Sequence, residues 1–387
     1  MKIAIVTYFY DEKLSSEDEM LSQYYTITGW AEALQRAGQE VIVISRFSKE
    51  RRMERNNVVY HFIRDNLGGH FRSWQIPLKF LKKVAALHAD VVHLHHLTLS
   101  VQTLVLRSLL KNKTAIIIQH HGGKNLRSLK LSIHNFINRV ADGYFFTTPE
   151  QGEWWFQYKG QREKLMPVME GGTFFNYETR DAGRDSDYLQ RNLARAKTGM
   201  EGSPVFLWVG RLDNNKDPLT ILDGFEEIFQ EYPSASLYMI YSDDQLLEKI
   251  KKKIAGSGIA KARVHLLGII PHAEIKFYYN SADYFVLGSH YEGSGYALSE
   301  ALRCGCIPIV TDIPSFRMMT NDGKLGALWQ TGSKKSFIEA VSAAIEKPLL
   351  KEANDCIEFF KKTLSFDAIA RKALQHYQQA IHSRLQQ

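Results

Sequence analysis

The sequence predicts an α/β fold made of two successive units, each a parallel sheet covered by helices on both faces. Three observations carry this. Strand-like and helix-like segments alternate from end to end of the 387 residues, the order that produces parallel sheets. The strand segments are continuous apolar runs, as in strands buried on both faces. A charge-rich stretch over 177–202, poor in large apolar residues, precedes a fresh strand and divides the chain into two similar halves.

In the first half, strands are expected at Ile3–Thr7, Val41–Ser45, Val91–His95, Thr114–Gln119 and Gly143–Thr147. Helical periodicity fills the intervals, as over Tyr24–Ala37, with Gly38 where a helix ends, and Leu97–Lys111. In the second half, strands are expected at Val205–Val209, Ser236–Tyr241, Val264–Leu267, Tyr284–Leu287 and Ile307–Thr311, with helices at Asp217–Glu231, opened by Pro218, and Ala273–Asn280. Ile369, Ala373, Tyr377 and Ile381 place one apolar face on a final helix over Ser365–Leu385. The expected organisation is a first unit over 1–180, a second over 200–364, and a helix over 365–387 packing back toward the first.

Cys304, Cys306 and Cys356 form neither a disulfide framework nor a metal-ligand spacing, which fits a reducing compartment. The apolar run at the amino terminus is too short for a signal peptide, and no run approaches the roughly 18 apolar residues of a spanning helix. A cytoplasmic protein is expected, with contact at the inner face of a membrane left open. The net charge is +7, but residues 51–150 alone hold 15 basic and 5 acidic side chains. Such a half attracts anionic partners or is simply a solvated basic surface. The segment Phe71–Leu87 mixes Trp74, Leu78, Phe80 and Leu81 with Arg72, Lys79, Lys82 and Lys83. It reads equally as a membrane-surface helix and as a basic-faced helix packed on the sheet.

The most informative segment is Ser289–Pro308. Glu292 and Glu300 flank a Gly293-Ser294-Gly295 turn that opens a short amphipathic helix directly after a buried strand. A strand, a glycine turn and a helix start present amide N–H groups and a positive dipole end, a site for a phosphate. On that helix Ala297, Ala301 and Cys304 form one buried stripe with Leu298 and Leu302 beside it, which leaves Glu300 on the flank. The second segment, Phe206–Asp217, ends a strand at Gly210 and continues with Arg211 and Lys216 toward a helix start. Two cations at strand carboxyl ends can neutralise a diphosphate.

Val209–Asp217 (VGRLDNNKD), the Gly268-Ile269-Ile270-Pro271 turn and Glu292–Val310 (EGSGYALSEALRCGCIPIV) resemble the retaining glycosyltransferases of the group 1 type, often called family 4. The resemblance is strongest across 204–345 and extends more weakly over the whole chain. It implies the GT-B fold, with two facing Rossmann-like domains, and transfer of a sugar from a nucleotide-diphosphate sugar to an acceptor hydroxyl without a metal or a separate cofactor. UDP or GDP is the nucleotide most expected. It also implies roles. Arg211 and Lys216 would hold the diphosphate, and Glu292 the transferred sugar. The amides of Gly295, Tyr296 and Ala297 would cradle the distal phosphate, with Gly293, Ser294 and Leu298 also in the donor site. Glu300 would bind the ribose, and the backbone at Ile269 and Ile270 would frame the base.

In the first half, Asp90–His96 (DVVHLHH) and Ile116–Lys124 (IIIQHHGGK) end strands with histidines and are similar to elements of the same family. His121 matches the family histidine near the sugar and acceptor. At least one of His93 and His95 is expected to be a core histidine satisfied by backbone. These histidines lack carboxylate support for a metal site. The Asp185-Ser186-Asp187 triplet is expected to be a solvated loop. Two departures stand out. Ser22-Gln23 occupies the place of the family's glycine pair, within an acidic loop suited to shaping an acceptor pocket. Met169-Glu170-Gly171-Gly172-Thr173 replaces an asparagine-glycine element and gives Glu170 access to the cleft.

The expected partners are a nucleotide-sugar donor and an anionic or lipid-linked glycan acceptor, with no nucleic acid and with peripheral contact to an anionic membrane open. The alternatives are a nucleotide-sugar epimerase or hydrolase on the same scaffold, and a non-catalytic sugar- or nucleic-acid-binding protein. A nicotinamide-dependent dehydrogenase would need glycines after the first strand, and Ile3–Asp11 has none.

Overall fold

In a computed structural model, residues 1–122, 129–156, 158–173, 175 and 183–386 are described. They divide into two compact units, Met1–Gly172 with Leu364–Gln387, and Thr173–Thr363.

The described strands of the first unit are β1 (Lys2–Thr7), β2 (Glu40–Arg46), β3 (Arg51–Arg55), β4 (Val58–Ile63), β5 (Val91–Leu94), β6 (Ala115–Gln119), β7 (Gly143–Phe146) and β8 (Leu165–Pro167). They make one sheet in the order β3-β4-β2-β1-β5-β6-β7-β8. Every pairing is parallel except that of β3 with β4. That hairpin turns on Asn56 and Asn57, both at positive φ (52° and 59°), the residue type that tolerates a two-residue turn of this hand. After β1 come two short helices, α1 (Glu17–Gln23) and α2 (Tyr25–Arg36).

The C-terminal helix Phe366–Leu385 belongs to this unit and packs on α2 and β6. Gly29 of α2 makes room for it, because a Cβ there would meet the Phe366 ring at 2.4 Å. Arg36 and Asp367 close an ion pair of 2.6 Å at the surface of the same contact. Helix Leu78–Ala85 turns Phe80, Leu81 and Val84 fully into the core, so this part of the Phe71–Leu87 segment is a packed helix. Trp74, Ile76 and Leu78 remain exposed beside it. No helix among the described residues is long and apolar enough to cross a membrane.

The second unit contains β9 (Val205–Gly210), β10 (Ser236–Tyr241), β11 (Val264–Gly268), β12 (Tyr284–Leu287), β13 (Ile307–Thr311) and β14 (Ala327–Trp329), ordered β11-β10-β9-β12-β13-β14 and parallel throughout. The helices that bear on its site are α3 (Gly183–Thr198), α4 (Pro218–Glu231), α5 (His272–Ser281) and α6 (Tyr296–Arg303).

The boundary between units differs from the expectation of a polar linker over 177–202. The chain enters the second unit at Thr173, and much of the charge-rich stretch is α3, packed on α5. Its described arginines are paired rather than solvated. Arg191 and Arg195 both reach the buried Asp283 carboxylate, and Arg195 Nε also donates to the Ser281 carbonyl at 2.9 Å. Composition alone could not reveal a carboxylate ninety residues away.

Candidate functional site

The strand order of the second unit reverses direction between β9 and β12. In parallel sheets this switch point opens a crevice beyond the strand carboxyl ends. The two segments singled out in the sequence run from these two strands. Gly288, just past β12, lets them pass closely, since a Cβ there would lie 3.0 Å from the Asp217 carbonyl oxygen and 3.2 Å from that of Lys216. The backbones are then stitched together. His290 N–H donates to the Asn215 carbonyl at 2.8 Å, and Asn215 Nδ2 donates to the Tyr291 carbonyl at 2.9 Å.

This crossing brings Lys216 and Glu292 together in an ion pair between Nζ and Oε1, with both side chains largely buried. Ser289 Oγ donates to the same carboxylate oxygen at 2.6 Å. Arg211 is mostly exposed and pairs with Asp213 at 3.1 Å, while Asp213 Oδ1 accepts the Lys216 amide at 2.9 Å. Both following helices begin here. Asp217 caps α4, accepting from the Thr220 amide, and Gly295 precedes α6 at φ +65°. A side chain at Gly295 would be strained, and its Cβ would strike the Phe316 ring at 2.8 Å. Gly293, Tyr296 and Ala297 are half-buried at this opening, and Ser294 is buried. Ala297 is thus less enclosed than the expected stripe implied. Leu298 is a core side chain, so only its backbone can serve a ligand.

Glu300 differs from the expectation of an acid free on the helix flank. It is 5% exposed. His272 Nε2 bonds one oxygen at 2.7 Å and Tyr279 Oη donates to the other at 3.1 Å. Both partners lie on α5, which packs against α6. The hydrogen bond that Glu300 accepts from His272 raises the His272 pKa, because it favours the imidazolium. The Phe175 ring packs on His272 at 5.0 Å. His272 immediately follows the turn Gly268–Pro271, in which Ile269 is exposed and Ile270 half-buried. That adjacency was the available signal for His272.

The first unit assembles a second cluster at the carboxyl ends of β5 and β6. His95 Nδ1 and His121 Nε2 are 2.9 Å apart, and His121 Nδ1 bonds Glu170 Oε1 at 2.6 Å. Glu170 is held in turn, its carbonyl accepting the Trp30 indole N–H at 2.7 Å. His93 is fully buried, and its Nδ1 bonds the Tyr377 hydroxyl of the C-terminal helix at 2.8 Å. The partners of His93 and His95 are therefore side chains, not the backbone groups expected. Burial pushes the pKa of His93 and His96 down to about 3, that of His120 to about 4, and that of His95 well below the ordinary range. These four rings are neutral at pH 7. Among the described residues no three His, Cys, Asp or Glu side chains converge as a metal would require. Gly123, Lys124, Phe174, Asn176 and Tyr177, and the side chains of Asp185, Ser186 and Asp187, lie outside the described residues.

The sequence matches the family of glycosyl transferases group 1 over residues 190–363 and Glycosyltransferase Family 4 over residues 25–168. The chain belongs to the group 1 and family 4 glycosyltransferases. This glycosyltransferase is 29% identical over 182 residues to mannosylfructose-phosphate synthase of Agrobacterium fabrum, covering 45% of this chain and 38% of that protein. It is 24% identical over 294 residues to the GDP-mannose:cellobiosyl-diphosphopolyprenol alpha-mannosyltransferase of Xanthomonas oryzae, covering 74% and 72%. The first of these alignments thus spans well under half of its relative. In three dimensions the chain resembles sucrose-phosphate synthase of Thermosynechococcus elongatus (TM-score 0.68, 19% identity, 99% of each chain). It also resembles Anabaena HepE in complex with UDP and glucose (TM-score 0.69, 15% identity, 98% of this chain and 100% of that one). At these identities the likeness shows the fold, two Rossmann-like units of the GT-B kind.

Proposed function

We infer that this glycosyltransferase moves a sugar from a nucleotide-diphosphate donor, UDP- or GDP-linked, to an acceptor hydroxyl, with retention of anomeric configuration and without a metal. The observation that carries the reading is the Lys216–Glu292 pair. Two residues 76 positions apart meet at the switch point of the second unit, next to the opening of α6. In this reading Lys216 and Arg211 take the diphosphate, so the arriving phosphate displaces Glu292 as the partner of Lys216. Glu292 is thereby released to accept hydrogen bonds from the sugar. Amides from Gly293 to Leu298 bind the distal phosphate with the favourable end of the α6 dipole. Lysine and amide donors already in place stabilise the leaving diphosphate as its charge grows. Glu300 reaches the ribose through the lone pairs that His272 and Tyr279 leave.

The acceptor half is assigned to the first unit, where His121, oriented by Glu170, donates to or accepts from a hydroxyl. Exposed Trp74, Ile76 and Leu78 beside Lys82 and Lys83 support contact of that unit with an anionic surface. The deciding experiment is a melting screen with UDP, GDP, ADP and CMP. A nucleotide at 100 times its dissociation constant adds about 2.7 kcal/mol of stability. A melting temperature unmoved by all four would refute the reading. Transfer that survives EDTA and gives a product of the donor's anomeric configuration by NMR tests the two finer claims.

A further inference from the structure

The first unit contains a cavity of about 320 Å³ at the carboxyl edge of its sheet, where β1, β2, β4 and β5 end beneath α1 and α2. Its size is at the lower end of that of small-molecule pockets, about 300–1,000 Å³. Most of its wall is hydrocarbon: Phe9, Met20, Leu21, Ile27, Val43 and Phe62. Of the three short hydroxyl side chains of the lining, Thr7, Thr26 and Ser45, two are turned to each other, Thr7 Oγ1 donating to Ser45 Oγ at 2.6 Å. Tyr24 and four imidazoles, His70, His95, His96 and His121, complete the lining. Burial holds His95 and His96 neutral, and Phe9 meets the His96 ring edge-on at 4.6 Å. His121 is anchored by His95 and Glu170.

This chemistry discriminates among acceptors. A sugar ring carries hydroxyls around its rim, and each one buried without a partner costs free energy. The apolar stretch of the wall offers few partners for such a rim, and the hydroxyls of Thr7 and Ser45 already serve each other. A phosphate or carboxylate would meet neutral rings at His95 and His96. A methylene chain loses nothing on entering and gains from every carbon that leaves water.

We propose that this cavity takes an aliphatic hydrocarbon group carried next to the acceptor's reacting hydroxyl, with that hydroxyl at the histidine end beside His121. The assignment rests on the glycosyl-transfer reading for the identity of the hydroxyl, and on the cavity alone for the hydrocarbon.

The test is calorimetric titration of the full chain with n-alkyl β-D-glucosides from methyl to octyl, each below its micellar concentration. Affinity is expected to rise about fourfold per added methylene until the cavity is full, the equivalent of about 0.8 kcal/mol for each buried CH₂. Thr26→Trp, at a half-buried lining position of α2, fills the space and should weaken octyl glucoside at least tenfold while leaving methyl glucoside unchanged. Phe9→Asn adds an amide to the wall without bulk and should flatten the series in the same direction. Equal affinity for methyl and octyl glucosides, or a chain-length dependence that both variants leave intact, would overturn the proposal. UDP binding is read in the same samples. Its absence would sink the transfer reading, and the alkyl series would still decide the cavity.

Discussion

Lys216 and Glu292 neutralise each other in the largely buried space between the loops that follow β9 and β12. Such a pair adds little net stability, since desolvation offsets attraction, but removing one partner strands the other. Lys216→Ala is therefore expected to lower melting temperature and to abolish nucleotide-induced stabilisation, because it removes the proposed diphosphate contact. Glu292→Gln keeps the hydrogen-bonding shape. It should retain nucleotide binding while kcat for transfer falls on the order of 10² to 10³, the scale of losing one preorganised group. Thermal shift and steady-state kinetics on the two variants check this. Equal loss of nucleotide binding in both would contradict the division of roles.

Glu170 acts through His121. Its carboxylate holds His121 Nδ1 and so sets which ring nitrogen, Nδ1 or the Nε2 beside His95, carries the proton. Glu170→Gln can present its amide NH₂ instead of its carbonyl and so permit the opposite tautomer. The expected outcome is a fall in kcat with donor KM unchanged, together with a shifted pH–rate profile. A purely structural role would lower stability and leave the profile where it was.

The histidines predict opposite pH dependences in the two units. The His272 pKa is raised by Glu300. Its contribution is complete below the unfolded value of about 6.5 and fades as pH climbs through the raised folded value. His272→Gln should therefore cost most below pH 6.5 and least in mild alkali. His93, His95, His96 and His120 are depressed by burial. Their contribution is complete above about 6.5 and is lost as pH falls toward 4, at up to about 1.4 kcal/mol per pH unit for each ring. His120→Gln should flatten that acid limb by the share of one proton. Denaturant midpoints of wild type and both variants between pH 4.5 and 8.5 give the comparison, and parallel curves would show the assignments to be wrong.

Arg46 is a buried tie-rod of the first unit. Its guanidinium grips both Asp65 oxygens, at 2.6 and 2.7 Å, and the carbonyls of Tyr8, Leu67 and Gly68, and the Phe71 ring lies 4.7 Å away. Arg46→Met leaves Asp65 buried and unpaired and should cost about 3–5 kcal/mol, read from urea unfolding. Adding Asp65→Asn should recover part of that loss. No recovery would mean that the carbonyl contacts, not the ion pair, dominate.

How much was legible follows from the range of each interaction. The strands flanking the switch point and the loops that follow them announce themselves through contiguous apolar runs and glycine turns, so Lys216 and Glu292 could be anticipated as neighbours. The β3–β4 hairpin escaped because Arg51–Arg55 is almost entirely polar, although the Asn56-Asn57 pair was a turn signal. Glu300 was misjudged because a single helix wheel takes no account of α5, and burial depends on what packs above. The Tyr377 partner of His93 lies 284 residues away, beyond any local pattern. The buried anchor for Arg191 and Arg195 is hidden for the same reason, which made a docked helix look like a tether.

The C-terminal helix has a consequence for synthesis. Tyr377 caps His93, and Phe366 fills the notch at Gly29, yet all of the second unit is translated before either emerges. On the ribosome, the Rossmann-like half made later can complete its core first, while the earlier half waits with an open flank around Trp30 and Phe145. Chaperone dependence is therefore expected to concentrate on that waiting interval, ending when the helix from Phe366 is released.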